Sequence, residues 1–501
     1  ALEKATREGD TKNINRLKKE LEGEQTFLWN LFKEIDGTTR IPGNITGARI
    51  SQGVRSSQNV SKLGLAVISS ITDIPNLALE LQYQGINPIK AYMQAFKSVV
   101  RMAGFSPIGK RGSDYRNIAY RLGVGIHGML GDAHSRFSAW DTVPGVISKI
   151  NQNYFKLNLL TPWTDALQTG AAHMMSENLG RQSGRVFSKL DSKSQRAMEM
   201  AGLGELEWNM LVSKSVYKSE GNNFIVPDVL ENFGDDVFKS YLAKKQPQRK
   251  TFSQEEVLRT KKDISGKLSG YYQDRIEHAV PMPGVWERAA MNQGTKDGTP
   301  LGVAMRLFMQ FKSFPLTVSH KTLGRELHGR GKAVFKDGKI RGSANWTGLT
   351  HLIAATTVLG GVALMLKDIA KGKQPRDMNN NAFWVQAFTQ GGGLGLYGDF
   401  FLGNWNRHGF SALSSLAGPT IGQFDTLAQA MTKAGKLESP LHHIGKLMGN
   451  NFPYTGLFYL RAATDYAIMF NLQEMVNPGY LARREGRWRK EEEGSGVRKI
   501  G

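Results

Sequence analysis

Apolar residues recur at intervals of three and four along most of this sequence, whereas alternating runs of β-branched residues between hairpin turns are scarce. The first pattern places apolar side chains on one face of an α-helix, and the second is typical of a half-buried strand. Prolines interrupt the helical pattern, and glycines are frequent inside its apolar stretches. We therefore expect an all-α protein, an elongated multi-helical assembly with proline-kinked and glycine-rich helices and few or no strands.

Changes in charge and polarity divide the 501 residues into six predicted regions. They are an N-terminal charged helix and loop (1–50), an apolar helical region (51–160), a more polar helical region (161–248), a basic helical region (249–345), a glycine-rich apolar helical region (346–480) and a charged tail (481–501). In the first region, Leu17, Leu21, Leu28 and Phe32 form a narrow apolar stripe on the predicted helix.

The charge balance predicts a polyanionic partner. Lys and Arg number 65 against 44 Asp and Glu, which leaves a net charge of +21. Such a surface favours double-stranded DNA, contacted non-specifically through its phosphates, or anionic lipid; a merely solvated basic surface is the alternative. The candidate contact residues are Lys312, Lys321, Arg325, Arg330, Lys332, Lys336, Lys339 and Arg341, and in the tail Arg483, Arg484, Arg487 and Arg489.

Signals for chemistry are weak. The sequence has no cysteine, which excludes disulfides, thiolate metal sites and a cysteine nucleophile. His442 and His443 are adjacent, so on a helix they would point about 100° apart and could not share one metal ion. Glu438 and Ser439 resemble the start of a lytic transglycosylase catalytic helix, but nothing downstream completes that pattern. We expect no catalytic residue, cofactor or metal site in this stretch, and a peptidoglycan-degrading enzyme stays as an alternative.

Two glycine-containing stretches come close to nucleotide-binding patterns. Gly393–Gly398 fits G-x-G-x-x-G, but neither a preceding buried strand nor an acid about 20 residues later accompanies it. The segment Gly104–Lys110 has the glycine and lysine spacing of a phosphate loop. The next residue is Arg111, where such a loop needs Ser or Thr, and Pro107 within the segment lacks a backbone N–H. The glycines of 391–398 are better explained by close packing and bending among aromatic residues.

The region before residue 345 contains a second helical signal. Ala304, Leu307, Phe311, Phe314 and Val318 follow the spacing 3-4-3-4 and predict one apolar face with a kink at Pro315. The 23 residues from Ala344 to Leu366 then contain no acid, Lys or Arg. As a helix they would span about 35 Å, enough to cross the hydrocarbon core of a bilayer.

This 344–366 segment is nevertheless diluted by Thr, Gly, Asn345 and His351, and basic residues flank it on both sides. Two interpretations stay open: a buried core helix, or a helix that packs in protein in one state and contacts a membrane in another. The segment Val60–Leu79 is a second candidate for membrane contact or channel packing. The candidate membrane or packing residues of the first segment are Trp346, Gly348, Leu352, Ile353, Val358, Leu359, Gly360, Gly361, Leu364 and Leu366.

Three stretches resemble a known protein family: "KLGLAVISSITDIP", "RLFMQFKSFPLTVSH" and "FWVQAFTQGGGLGLYGDFFLGNWNRHGFSALSSLAGPTIGQFDTL". They are similar to the C-terminal regions of internal virion proteins of short-tailed bacteriophages, namely the largest inner-core protein of T7-like phages and related polyvalent proteins. The likeness spans roughly 60–427 and is diffuse, without one diagnostic motif.

The resemblance implies a structural protein that is stored in the capsid core at the portal and ejected to help form a channel for the genome through the host envelope. It implies a homo-oligomer that contacts other core or ejection proteins, the portal, DNA and the host inner membrane. Members of that family often carry a peptidoglycan-cleaving domain elsewhere in the polypeptide, and a start within a longer chain would explain its absence here. A plain non-specific nucleic-acid-binding protein is a further alternative.

Overall fold

The computed structural model describes residues 10–102, 117–122, 146–214, 216–219, 221–249, 251–329, 334–336, 339–341, 345–370 and 374–391. Of these residues 77% are helical. The predicted all-α class is confirmed, and the elongated assembly stays a prediction.

Several neighbouring helices are joined by 3₁₀ turns. In chain order the helices are α1 (Thr11–Ile35), α2 (Ile45–Lys62), α3 (Ala66–Ser69), α4 (Asp73–Tyr83), α5 (Pro88–Met102), α6 (Val146–Leu157), α7 (Leu160–Arg181), α8 (Ser192–Met200), α9 (Glu205–Lys214), α10 (Asp235–Lys245), α11 (Gln254–Ala279), α12 (Val285–Asn292), α13 (Pro300–Met309), α14 (Ser313–Thr317), α15 (Trp346–Ala370) and α16 (Asn381–Gly391).

The strands of the described residues form two short antiparallel hairpins, as the prediction of few strands requires. In the first, β1 (Val216–Ser219) pairs with β2 (Asn222–Ile225). In the second, β3 (Val334–Lys336) pairs with β4 (Lys339–Arg341). The first hairpin is tied to the helices because the carbonyl of Ile225 accepts hydrogen bonds from the hydroxyls of Ser176 at 2.8 Å and Tyr272 at 2.6 Å.

Side-chain caps fix where several helices begin. Asp10 accepts a hydrogen bond from the backbone N–H of Asn13 at 3.0 Å at the start of α1. At the start of α11, Ser253 and Glu256 form a capping box, in which each side chain accepts a hydrogen bond from the backbone N–H of the other. Such caps satisfy N–H groups that lack a partner within the helix.

The main hydrophobic core collects residues from Ile74 to Val280 and therefore crosses the predicted boundaries at 160/161 and 248/249. Helices α4, α5, α7 and α11 pack together in it, and hairpin β1–β2 lies against α7. Its largest fully buried side chains are Trp208, Tyr271, Tyr272, Phe224 and Phe238. The six predicted regions are thus not separate cores in this part of the chain.

A second core joins α2 and α6 to the segment around α14. It contains Val60, Leu63, Ala66, Tyr154, Phe155, Leu160, Phe311, Phe314 and Val318. The predicted segment Val60–Leu79 lies largely inside these two cores, with most of its residues buried. It therefore presents no extended apolar face in this conformation, and its role in membrane contact or channel packing stays a prediction.

The predicted kink at Pro315 is also corrected. Helix α13 ends at Met309, and the chain turns through Phe311, whose φ is 67°. Helix α14 then starts at Ser313, so Pro315 lies in its first turn, where a missing N–H costs no helical hydrogen bond. The 3-4-3-4 apolar face is split: Phe311, Phe314 and Val318 are buried, whereas Ala304 is exposed.

After α14 the helix continues in two π-helical stretches, Val318–Leu323 and Arg325–Gly329. A π-helix holds more residues per turn than an α-helix and is rare, most often a single turn at a functional position. Here the two stretches carry the backbone from the second core to the N-terminal end of α15.

A buried ion cluster around Asp297 connects α2 to α13. The carboxylate of Asp297 pairs with Arg55 of α2 at 3.0 Å and lies 3.9 Å from the guanidinium of Arg306 in α13. Its backbone carbonyl accepts a hydrogen bond from Gly43 at 2.8 Å. Because all three side chains are buried, each charge depends on its partners.

Candidate functional site

Helices α15 and α16 form a hairpin at the C-terminal end of the described chain. Helix α15 has 25 residues, or about 37 Å at 1.5 Å per residue, which exceeds the ~30 Å hydrocarbon core of a bilayer. Its most apolar 18-residue window has a mean hydropathy of 1.8, and 33% of that window is buried. A core helix of a soluble protein would be mostly buried, so this degree of exposure is the unusual feature.

Glycines allow the two helices of the hairpin to touch backbone to backbone. A Cβ atom on Gly360 would lie less than 3.0 Å from the carbonyl oxygen of Ala387, and one on Gly391 would be equally close to that of Thr356. Beside this contact Leu364, Phe383 and Ala387 form a small apolar cluster. Gly391 begins the glycine run, and its role here is packing, as the sequence predicted; Gly393–Gly398 lies outside the described residues.

Polar side chains bridge the hairpin near its loop. The ammonium group of Lys367 donates to Oε1 of Gln390 at 3.1 Å, and both side chains are buried. Asp368 accepts from Arg376, which lies in the connection between the helices, at 2.9 Å. The charges of α15 are therefore turned inward, which leaves its outer face uncharged.

The outer surface of the hairpin is apolar and exposed. Its large exposed side chains are Trp346, Ile353, Val358, Leu366 and Ile369 on α15, Met378 in the connection, and Trp384, Val385 and Phe388 on α16. Large exposed apolar side chains concentrated on one hairpin are typical of a region that contacts a membrane or another protein.

Helix α5 extends this surface. Ile89, Met93 and Phe96 are exposed and lie one helical turn apart on one face. Tyr92 lies on the same side, and its hydroxyl shares a 3.1 Å hydrogen bond with Nε2 of His351 in α15. Burial raises the pKa of Tyr92 to about 12, so the phenol stays neutral at physiological pH. This contact brings α5 next to α15 at Tyr92 and His351.

The N-terminal end of α15 is held by Glu326 of the second π-helical stretch. The amide of Asn345 donates to Oε2 of Glu326 at 2.7 Å, and its backbone N–H donates to the Glu326 carbonyl at 2.8 Å. Gly348 leaves room for this carboxylate, since a Cβ there would collide with it. A carboxylate at a helix N-terminus is also favoured by the helix dipole.

Glu326 belongs to a buried ion cluster that reaches into the main core. Arg325 donates from Nε to Glu326 at 3.2 Å and from Nη1 to Glu80 of α4. Glu80, which is fully buried, also accepts from Arg275 at 3.5 Å and from Gln84 at 3.0 Å. Both guanidinium groups lie within 6 Å of the ring centre of Tyr83, at 5.5 and 5.9 Å. The cluster links α4, α11 and the start of α15.

The structure divides the ten predicted membrane or packing residues of α15 into exposed and buried ones. Trp346, Ile353, Val358 and Leu366 are exposed. Leu359 is half-buried against the main core. The remaining residues are buried, namely Gly348, Leu352, Gly360, Gly361 and Leu364. The two interpretations of this segment, core helix and membrane-contacting helix, thus each describe some of its residues.

The predicted basic surface is less continuous than the sequence suggested. Lys312 is half-buried over the ring of Phe308, and Lys321 pairs with Glu277 at 2.6 Å. Arg325 is buried and paired with Glu80 and Glu326, so its charge is compensated inside the protein and its predicted contact with DNA or lipid is corrected. Lys336, Lys339 and Arg341 lie on β3 and β4. Outside the described residues lie Arg330, Lys332, Arg483, Arg484, Arg487 and Arg489.

Sequence reasoning missed two parts of this site. The exposed face of α5 has a helical signal in the spacing of Ile89, Met93 and Phe96, but nothing in that spacing says whether the face is buried. Glu80 had no signal, because its partners Arg275 and Arg325 lie 195 and 245 residues away in the sequence.

Among the residues that the structure describes, no group of three or more His, Asp or Glu is arranged to hold a metal ion. The alternative catalytic candidate Glu438 and the phosphate-loop-like Gly104–Lys110 lie outside those residues. Comparison of the chain with protein-family profiles, curated protein sequences and solved structures returns no match.

Proposed function

We propose that this chain is a structural bacteriophage virion protein that acts in genome delivery, and that the hairpin α15–α16, together with the exposed face of α5, is its membrane-contacting surface. The observation that carries the proposal is α15 itself, a 25-residue apolar helix of which only a third of the most apolar window is buried. Its internal face is held by glycine contacts and paired charges, while its outer face offers only uncharged side chains to a bilayer.

In this proposal the protein is stored in the capsid core at the portal vertex and is ejected into the periplasm and inner membrane of the host. It works as a homo-oligomer beside other core or ejection proteins and the portal, and it contacts double-stranded DNA non-specifically. The support for these partners is the resemblance of the three quoted stretches and the net charge of +21.

Flotation with liposomes tests the membrane-contacting surface. The protein should float with vesicles that contain anionic lipid, and the double variant Val385→Asp, Phe388→Asp should lose at least about tenfold in partitioning. Each buried side chain of this size contributes about 1.5–3 kcal/mol, and each aspartate adds a further penalty. The matched control is Leu258→Asp, which changes an exposed leucine on α11.

If the wild-type protein stays unbound at every lipid composition, ionic strength and pH tested, the membrane part of the proposal is wrong. The virion part has its own test. Mass spectrometry of purified particles of the phage that encodes the chain should find its peptides before ejection and lose them after ejection; their absence from intact particles would refute a virion role.

A further inference from the structure

Helix α1 carries an apolar stripe that the described protein leaves uncovered. The stripe consists of Ile14, Leu17, Leu21, Leu28, Phe32 and Ile35, interrupted at mid-length by Glu24 and Gln25. Leu28 is 63% exposed and Ile35 is 71% exposed, although both are large aliphatic residues. From Thr11 to Thr26 no residue is buried.

The opposite side of α1 already has its partners. The ring of Phe27 packs edge-on against Trp286 of α12 at 5.6 Å between ring centres. Glu34 accepts from Asn292 at 2.8 Å and lies 4.0 Å from Arg288. These contacts lie about 120° around the helix from the stripe. They fix the helix on the molecule, and the described residues leave Leu21, Leu28, Phe32 and Ile35 of the stripe exposed.

The apolar residues of the stripe have the spacing of a coiled coil, and the series of intervals between them is the same from either end. If Glu24 and Gln25 are taken as one position, the residues recur every 3.5 positions on average, as knobs-into-holes packing requires. The intervals are 3, 4, 7, 4 and 3, symmetric about the midpoint between Glu24 and Gln25. A helix with this property matches a second copy of itself in the antiparallel direction.

We propose that α1 is a self-association surface that pairs with α1 of a second copy of this chain, antiparallel, about a two-fold axis between Glu24 and Gln25. In this arrangement Ile14 faces Ile35 of the second copy, and Leu17 faces Phe32. Leu21 faces Leu28 in the same way. The interface is isologous, since each copy contributes the same residues and the assembly closes.

Charge favours the antiparallel direction over the parallel one. Residues 12–19 carry Lys12, Arg16, Lys18 and Lys19 and no acid, a net charge of +4. In a parallel pair these cations would lie beside their own copies. In the antiparallel pair they lie opposite residues 30–37, which add only Lys33 and Asp36 to the surface, because Glu34 is buried against α12. Specific helix pairs avoid placing like charges opposite each other.

The apolar area is sufficient for a stable pair. Five side chains on or beside the stripe, namely Leu21, Leu28, Trp29, Phe32 and Ile35, are 46–71% exposed. They offer about 350 Å² per copy, by the usual areas of aliphatic and aromatic side chains. With Ile14, Leu17 and the stems of flanking residues, a pair reaches the ~1,000 Å² that separates a specific interface from an incidental contact.

Cysteine cross-linking tests the direction of pairing, because the chain has no cysteine of its own. Two full-length variants are prepared, Leu21→Cys and Leu28→Cys, and oxidised separately and as a mixture. A disulfide needs Cα atoms about 4.4–6.8 Å apart, so we expect a cross-linked dimer in the mixture and little in either variant alone. Cross-linking of each variant with itself, without enrichment in the mixture, would indicate a parallel pair and overturn the proposal.

Sedimentation measures the association itself. The wild-type chain should sediment at twice its monomer mass or a multiple of it, and Leu28→Asp should halve the mass, whereas Leu258→Asp should leave it unchanged. Gln25→Leu fills the polar gap at the axis and should tighten the dimer at least about tenfold. A wild-type monomer at all concentrations, or a mass indifferent to Leu28→Asp and Gln25→Leu, would refute the proposal.

The pairing of α1 provides a surface for the self-association that the proposed function requires. In that respect alone it rests on the proposed function. Its failure is distinguishable, since cross-linking and sedimentation are measured without lipid or phage particles. A protein that dimerises through α1 but does not bind liposomes would support the α1 pairing and refute the membrane-contacting surface. A protein that binds liposomes but stays monomeric would support the surface and refute the pairing.

Discussion

Lys312 is a lysine whose charge is partly removed from water. Its ammonium group lies 3.1 Å from the ring centre of Phe308, and burial lowers its pKa from 10.5 to about 8. In the unfolded chain the group titrates near 10.5, so between pH 8 and 10.5 the unfolded state binds more protons than the folded state. Over that window stability rises with pH, and below pH 8 the cost of the buried charge is present in full.

Lys312→Met should therefore remove part of the rise in stability between pH 8 and 10. The effect is modest because the group is half exposed to solvent. Thermal unfolding followed by circular dichroism across this pH range measures it, with the exposed Lys262→Met of α11 as the control that keeps the wild-type profile. An unchanged pH profile in Lys312→Met would contradict the assignment.

Glu80 is the residue on which the ion cluster at the start of α15 depends. It is fully buried and is the partner of both Arg325 and Arg275, so Glu80→Ala leaves two guanidinium groups buried beside a cavity. Loss of one member of a buried ion pair destabilises a protein by about 3–5 kcal/mol. Urea unfolding should show a loss of this size.

The matched control for Glu80→Ala is Arg259→Ala, which breaks the exposed pair of Arg259 with Glu255 on α11. Exposed pairs of this kind contribute ~0–1 kcal/mol, so the control should unfold close to the wild-type midpoint. Equal effects of the two variants would mean that the buried cluster is not a stabilising unit.

At this scale the sequence predicted residue types better than residue roles. The basic run from Lys312 to Arg341 is plain in the sequence, but Arg325 turned out to be buried because its partner Glu80 lies in a helix 245 residues earlier. Which charges face water depends on such long-range contacts, and no local pattern reports them.

Among the secondary-structure elements, the hairpin α15–α16 depends on glycines at the contact between its two helices. Gly360→Ala and Gly391→Ala each place a methyl group less than 3.0 Å from a backbone oxygen of the other helix. Overpacking of this kind costs about 1–3 kcal/mol, so each variant should loosen the hairpin. Hydrogen exchange of the amides of α16, compared with those of α11, measures the loosening.

Gly266→Ala is the control for the hairpin glycines. Gly266 lies inside α11, and a Cβ there meets nothing within 4 Å. Replacing an unconstrained helical glycine by alanine stabilises by about 0.5–1 kcal/mol, so this variant should move stability in the opposite direction. Stabilisation by Gly360→Ala as well would show that the two helices are not in close contact.

Element type was predictable because spacing and start signals are local. The capping box of Ser253 and Glu256 marks the beginning of α11 directly in the sequence. The boundary between α13 and α14 was not predictable, because it depends on Phe311, which takes a positive φ in order to enter the second core. Pro315 suggested a kink there, but it lies in the first turn of the following helix.

For the whole molecule, the net charge of +21 leads to a prediction about DNA. If the protein contacts about six phosphates, its affinity for duplex DNA should fall about 10³-fold between 50 and 200 mM salt, with little dependence on base sequence. Fluorescence anisotropy with two unrelated duplexes measures both properties. Affinity that is insensitive to salt, or strong preference for one duplex, would contradict non-specific phosphate contact.

The division of the chain into six regions followed composition, and composition does not say which regions share a core. Tyr83, Trp208 and Tyr271 come from three predicted regions and lie in one core. Exposure of α15 and of the α1 stripe was equally hidden, since an apolar helical face has the same spacing whether or not a neighbour covers it.

The π-helical stretches Val318–Leu323 and Arg325–Gly329 bear on how this molecule could change by single-residue steps in evolution. Each stretch accommodates a residue that an ordinary α-helix would not need, as an ancient insertion does. Deleting one residue from such a stretch would let it close into ordinary α-turns, whereas the same deletion in a regular α-helix would turn everything downstream by about 100°. The wide helical turns thus set the register in which Arg325 meets Glu80 and Glu326 holds the start of α15.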